Sequence, residues 1–252
     1  GVPTIVLGDE ASGEAYDAMV ESEPWPVAPP TSETHLLLFT SGTTGRPKGV
    51  RLTHMNIMWF AWQQLACYGL DRSTVALLAA PTFNMAGISL FSIPTFLVGG
   101  TVVVQPSHGW RPDLLVGLVR RWGITHTNIF PSQFKTILAA DEASAIAFES
   151  LRLVATGGES CPPELLRRFR ERWPHIRLLQ GYGQTETGVV TVSVGDDLAR
   201  HPSSIGRSVV GTSCRVLGPD GLEAPVGETG ELYVNGPSVA PGYWNAPELT
   251  DA

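Results

Sequence analysis

Apolar positions along this chain fall into short blocks at two alternating spacings. Leu36–Phe39, Val75–Ala79, Thr101–Gln105, His126–Phe130, Leu151–Ala155 and Ile176–Gln180 are short, mostly apolar runs. They read as strands, the first of the kind buried on both faces. Between them apolar residues recur every three or four positions, which predicts helices over Thr53–Cys67, Ile88–Leu97, Asp113–Trp122, Ser132–Ala140 and Pro162–Trp173. In the first of these, Met55, Met58, Trp59, Trp62, Leu65 and Ala66 share one side and form its apolar face. Strands separated by helices imply crossover connections, hence an α/β fold with a largely parallel sheet flanked by helices.

The pattern changes near residue 188. Val189–Val194, Ser213–Leu217 and Glu231–Asn235 alternate as strands, Gly218-Pro-Asp-Gly221 makes a turn, and no helical spacing is visible. This predicts three regions: residues 1–35 as a preamble ending in a Pro-rich linker (Pro24–Pro30), 36–188 as an α/β unit, and 189–252 as a small β-rich subdomain.

Composition narrows the picture. With 252 residues, 43% hydrophobic and 16% charged, the chain can bury a sizeable core and is not disordered. A net charge of −7 without a basic cluster argues against nucleic acid or an anionic membrane as partner. No apolar run approaches the ~18–20 residues of a membrane span. Three cysteines far apart read as reduced thiols, so the expected location is cytoplasmic.

Two stretches carry chemistry. After the Leu36–Phe39 run comes Thr40-Ser41-Gly42-Thr43-Thr44-Gly45-Arg46-Pro47-Lys48-Gly49. Glycines let backbone N–H groups approach an anion, the hydroxyls of Thr40, Ser41, Thr43 and Thr44 add donors, and Lys48 adds a compact positive charge suited to phosphate. It is not a Walker A loop, because Pro47 stands where that motif needs Gly. Gly181-Tyr182-Gly183-Gln184-Thr185-Glu186 follows the run ending at Gln180. Tyr182 offers a face for a purine, Gly181 and Gly183 clear space, Thr185 can donate to phosphate, and Glu186 is a hard oxygen ligand for Mg²⁺. Two such loops after parallel strands are expected to meet across one ligand site.

The first stretch resembles, position for position, the phosphate loop of the adenylate-forming superfamily of acyl-CoA synthetases, beetle luciferases and peptide-synthetase adenylation domains. Thr43 looks like the acyl-CoA synthetase branch. The second is similar to the family's Tyr-Gly-x-Thr-Glu motif. Thr156-Gly157-Gly158-Glu159-Ser160 resembles its Gly-Gly-Ala segment, with Glu159 where a small residue is common. Pro81-Thr-Phe-Asn84-Met-Ala-Gly87 resembles its Pro-x-Phe-His-x-x-Gly segment. Asn84 replaces the usual His, so a proton-coupled role is not carried over, and Asn84 is as readily a turn residue opening a helix as a substrate contact. Gly206-Arg207, Gly227–Leu232 and Gly242–Asn245 match the family's β-rich, distorted-barrel region.

The resemblance implies ATP-dependent activation of a carboxylic acid to acyl-AMP and transfer to coenzyme A, with fatty acid metabolism as the expected setting. It implies Lys48, Thr185 and Glu186 as catalytic residues and Glu186 as the Mg²⁺ ligand. The loop residues Thr40–Gly45 and Lys48 would hold the phosphates. Gly158, Glu159, Ser160, Gln180, Gly181, Tyr182, Gly183 and Thr185 would complete the nucleotide site, and Asn84, Gly87, Gly157 and Gly181 would meet the acid. The chain would then be part of the family's large N-terminal domain, stopping short of a C-terminal domain with a further catalytic Lys. Transfer to a carrier-protein thiol, and a nucleotide- or acyl-binding module without turnover, stand as alternatives.

Overall fold

The computed structural model describes residues 33–40, 47–81, 83–105, 110–139 and 148–251. The chain divides into two compact units, Gly1–Glu33 and Thr34–Ala252. The elements named below all belong to the second, and the Pro24–Pro30 linker lies outside the described residues.

The centre is a seven-stranded sheet in the order β4-β3-β5-β6-β7-β8-β9. Its strands are β3 (Val75–Leu78), β4 (Thr101–Val104), β5 (His126–Asn128), β6 (Leu153–Gly157), β7 (Arg177–Gln184), β8 (Gly188–Val194) and β9 (Arg207–Ser208). Pairing is parallel from β4 to β7 and antiparallel from β7 to β9. The Val189–Val194 run, expected to open a separate β-rich part, is thus a strand of the main sheet.

Helices cover both faces, and the two-residue strand period sorts the core between them. Leu77, Val154 and Leu178 point to one face, where they pack with residues of α4 (Pro112–Trp122), α5 (Pro131–Ala139) and α6 (Pro163–Arg172). Their neighbours Ala76, Leu78, Leu153, Ala155 and Leu179 point to the other, with Tyr68 and Phe91. On that second face lie α1 (His54–Tyr68), α2 (Met85–Ser89) and α3 (Ser92–Leu97).

Three local expectations change. The Leu36–Phe39 run is not a doubly buried strand of the parallel sheet: β1 (Thr34–Thr40) pairs antiparallel with β2 (Lys48–Thr53) in a two-stranded ribbon. Such a ribbon buries one face only, so Leu38, Val50 and Leu52 join a core cluster with Ile57 and Phe60 while Phe39 stays exposed. The helix read over Ile88–Leu97 is two, α2 and α3. Pro94 has no N–H for the carbonyl four residues earlier, which confines it to the first turn of a new helix. After residue 188 there are two short helices, α7 (Gly195–Arg200) and α8 (Pro247–Thr250), beside the antiparallel pair β10 (Ser213–Leu217) and β11 (Glu231–Asn235). No helix among the described residues is long and apolar enough to cross a membrane.

The buried face of α1 also differs. Its N-terminus is set by a capping box, the Asn56 N–H donating to Thr53 Oγ1 (3.1 Å) and the Thr53 N–H to Asn56 Oδ1 (2.9 Å). The helix then buries Asn56, Ile57, Phe60, Ala61, Gln63, Gln64 and Tyr68. Met55 and Trp62, counted in the apolar face, are exposed. Buried amides explain the reversal. Asn56 Nδ2 donates to the carbonyls of Pro237 (2.9 Å) and Val239 (3.0 Å), and Gln63 Nε2 to Val210 O (3.2 Å) and Thr212 Oγ1 (3.0 Å). These bonds fasten the C-terminal segment to the helix, so polar side chains occupy the inside.

Candidate functional site

A cavity of about 290 Å³ lies at the C-terminal ends of β5, β6 and β7, under α1 and α2. That is where open parallel sheets place ligands, because crossovers leave the strand ends uncovered. Gly157 and Gly158 reach it from β6, Gly181–Thr185 from β7, and Asn128–Phe130 from β5. Phe60, Gln64 and Tyr68, spaced four apart on α1, form its wall with Asn84, Met85, Ser89 and Leu90.

The Gly181–Glu186 stretch is not a loop throughout. β7 continues to Gln184, pairing with β8 through a bulge at Tyr182/Gly183, and only Thr185–Thr187 form the turn. The glycines divide by purpose. At Gly183 a Cβ would sit 1.9 Å from Gly188 O, so the hairpin itself requires glycine. At Gly181 the nearest obstacle would be Leu179 Cδ2 at 3.8 Å, an ordinary contact, so the fold does not require it and the bare backbone opens onto the cavity.

Thr40 and Lys48 face each other at the end of the β1–β2 ribbon where the chain passes from one strand to the other, and residues 41–46, with Ser41, Gly42, Thr43, Thr44 and Gly45, lie outside the described residues. Lys48 is brought to Glu186 by an intermediary. Its Nζ lies over the Tyr243 ring (5.4 Å to the centroid), and Tyr243 Oη donates to Glu186 Oε1 at 2.8 Å. Backbone bonds from Ala240 N to Glu186 O (2.7 Å) and from Trp244 N to Gly49 O (2.7 Å) tie the same corner together. Burial, reinforced by the Glu186 carboxylate, pushes the Tyr243 phenol up to about 12, so it remains a donor at neutral pH. Glu186, Gly242, Tyr243 and Thr250 line a second cavity of about 220 Å³ at this corner.

Other predicted residues fall outside the cavity lining or turn away. Asn84 Oδ1 accepts from the Gly87 N–H (2.8 Å) and so caps α2, leaving its amide at the cavity wall and Gly87 buried behind it. Glu159 Oε1 accepts from the Ser132 N–H (3.0 Å) at the start of α5; it and Ser160 are exposed. The adjacent Gly158 does line the cavity. Gln180, one residue before Gly181, does not line it, and strand parity sends its side chain to the other face.

Sequence reasoning missed three residues. Gln64 and Asn128 are 2% and 4% exposed, and Gln64 Oε1 and Asn128 Nδ2 have no partner. A polar residue at the end of an apolar strand was the available signal for Asn128. Tyr243 lies in the Gly242–Asn245 stretch, which was matched to the β-rich region and given no part in the site. A single carboxylate, Glu186, faces the Lys48 corner, and no group of three metal-binding side chains exists among the described residues. This fits Mg²⁺ carried largely by phosphates and water, not an ion caged by protein.

Sequence and fold are both shared with known proteins. The model of the AMP-binding enzyme family matches residues 2–244. A feruloyl-CoA synthase of Amycolatopsis sp is 36% identical over 85% of this chain and 43% of its own length. Surfactin synthase subunit 2 of Bacillus subtilis is 34% identical over 85% of this chain and 6% of its own length. The ATP-bound crystal structure of MatB from Rhodopseudomonas palustris superposes with a TM-score of 0.82 at 28% identity, covering 94% of this chain and 46% of that one. The chain thus spans under half the length of the feruloyl-CoA synthase and of MatB. From residue 2 to residue 244, it belongs to the AMP-binding, adenylate-forming enzyme family.

Proposed function

We propose that this chain supplies the ATP- and acid-binding part of an enzyme that activates a carboxylic acid as acyl-AMP and transfers the acyl group to coenzyme A. The observation that carries the reading is the cavity at the strand ends, where Gly181 is bare for no reason of the fold's own. In this reading a carboxylate oxygen attacks the α-phosphorus of ATP, and the bond to the β-phosphate oxygen breaks to release pyrophosphate. The coenzyme A sulfur then attacks the acyl carbonyl, AMP leaves, and the thiol proton is lost to solvent. Mg²⁺ would neutralise phosphate charge in the first step.

Each residue has a share in that chemistry. The Thr40–Lys48 loop holds the phosphates, with Lys48 kept beside Glu186 by Tyr243. Glu186 orients the metal, Thr185 donates to the α-phosphate, and Tyr182 offers its ring to adenine. The protein contributes positioning and charge neutralisation, not covalent catalysis. The names of the feruloyl-CoA synthase and of an indoleacetate–CoA ligase from Aromatoleum aromaticum, 33% identical, support coenzyme A as acceptor. The likeness to surfactin synthase subunit 2 favours a second reading, transfer to a carrier-protein thiol. Three free thiols support a cytoplasmic setting.

The experiment is pyrophosphate release by the full-length protein that carries this chain, with Glu186→Gln as the variant. The substitution keeps shape and removes the charge that attracts Mg²⁺, so adenylation should fall about 10²-fold or more while the melting temperature holds. Wild-type turnover by Glu186→Gln at ordinary Mg²⁺ would remove the metal assignment.

A further inference from the structure

The cavity backs onto buried aromatic rings and is polar where it should be dry. Tyr68 and Phe91, 3% and 0% exposed, stand with their rings 5.1 Å apart behind it. Among the described residues they continue into packed core with Ala76, Leu78 and Leu153, which favours a short tail over a long unbranched one. The wall in front of this pair mixes apolar side chains (Phe60, Leu90, Ile129) with polar ones, among them two buried amides, Gln64 and Asn128. Both are more than nine-tenths buried, with Gln64 Oε1 lacking a donor and Asn128 Nδ2 lacking an acceptor. Strand parity aims Asn128 into this space: it is in register with Ala155, which lines the cavity. Gln64 sits one helical turn from both Phe60 and Tyr68, on the same stripe.

Elsewhere on α1 a buried amide is satisfied at both ends: Asn56 Nδ2 donates to the carbonyls of Pro237 and Val239, and its Oδ1 accepts from the Thr53 N–H. Gln64 and Asn128 have been left to something that enters the cavity. Orphaned polar atoms in a low-dielectric pocket strongly favour a ligand that answers them and reject one that does not. A hydroxyl is the smallest group able to both donate and accept.

We infer that Gln64 and Asn128 are specificity-determining residues, and that the acid is compact, ring-sized and carries a hydroxyl on its tail. This rests on the proposed reading of the cavity as the acid's site.

The test compares matched acids in pyrophosphate release by the full-length protein: para-hydroxycinnamate against cinnamate, para-hydroxybenzoate against benzoate, and dodecanoate. Wild type should prefer the hydroxylated member of at least one pair by about 10- to 100-fold in kcat/KM and use dodecanoate worst. Gln64→Met, close in volume, should collapse that ratio towards one, and Asn128→Leu should do likewise; a purely structural loss would lower both acids and leave the ratio. Equal use of hydroxylated and plain acids by wild type, a ratio unmoved in both variants, or dodecanoate as the best substrate would each overturn the inference. Pyrophosphate release from none of these acids, with release from others lacking a ring and a hydroxyl, would overturn the inference and spare the adenylating reading. No release from any carboxylic acid would overturn both.

Discussion

The two faces of the central sheet are built from the same strands and packed to opposite ends. On the α4–α6 face, Phe134, Phe148, Phe169 and Trp173 are essentially fully buried and their rings meet in a chain at 4.8–5.1 Å. On the α1 face the same strands present Ala76, Ala155, Gly157 and Gly181, and the helices above stand off far enough to leave the cavity. One face is filled and the other leaves the space that the proposed function assigns to a ligand. Strand alternation lets one sequence do both, because adjacent residues such as Val154 and Ala155 answer to different layers.

The largest effect should come from the filled face. Phe169→Ala deletes the ring joining Phe134 to Trp173 and should cost about 3–5 kcal/mol in urea unfolding. A loss under about 1 kcal/mol would mean that this face is no better packed than the other.

Next is a pH effect on the cavity face, where His126 lies 2% exposed with Nδ1 2.8 Å from Thr125 Oγ1. Burial pulls its imidazole down to about 4; Arg152 and Arg177 push the same way, while Asp71 and a backbone bond with Tyr68 oppose. The unfolded chain therefore takes up the proton first. Stability from this group is complete above about pH 6.5 and drains away as pH falls towards 4, by about 3 kcal/mol at most. Urea midpoints across this range should fall with acid, and less so in His126→Gln; parallel slopes in the two proteins would exclude His126 as the cause.

A smaller effect tests the open face directly. Ala155→Val adds two methyl groups at the cavity floor and suits a strand, so stability should change by about 1 kcal/mol or less. Acid activation should nevertheless fall at least tenfold in kcat/KM. Destabilisation on the scale of Phe169→Ala would show the space to be needed by the fold. The smallest stability change is expected for Gly181→Ala, which meets no clash and should be neutral or stabilising by about 0.5 kcal/mol. AMP affinity, measured by calorimetry on the full-length protein, should drop; unchanged affinity would separate Gly181 from the nucleotide.

Legibility followed the same division. Apolar runs and helical spacing located every strand from β3 to β8 and most helices within a few residues, because burial in this α/β core is written as periodicity. The Gly181–Thr185 stretch, which lines the cavity, was legible for a similar local reason: a bare backbone shows as small residues in sequence. Gln64 and Asn128 were not, since an unpartnered amide is defined by what fails to reach it. Tyr243 hid for the converse reason, its partner Glu186 lying 57 residues away. The α1 face was misread because its inner side is rich in amides whose partners sit some 150 to 180 residues later.

The sequence by itself therefore determined the α/β class, the strands of the parallel core and most of the helices between them. These are properties of local spacing, capping and backbone freedom, which a chain carries wherever it folds. Only the tertiary structure decided that β1 leaves the parallel sheet for a ribbon, that α1 turns its amides inward, and that Lys48 reaches Glu186 through Tyr243. Each depends on contacts between distant segments, and their balance of burial against hydrogen bonding exists only once those segments are brought together.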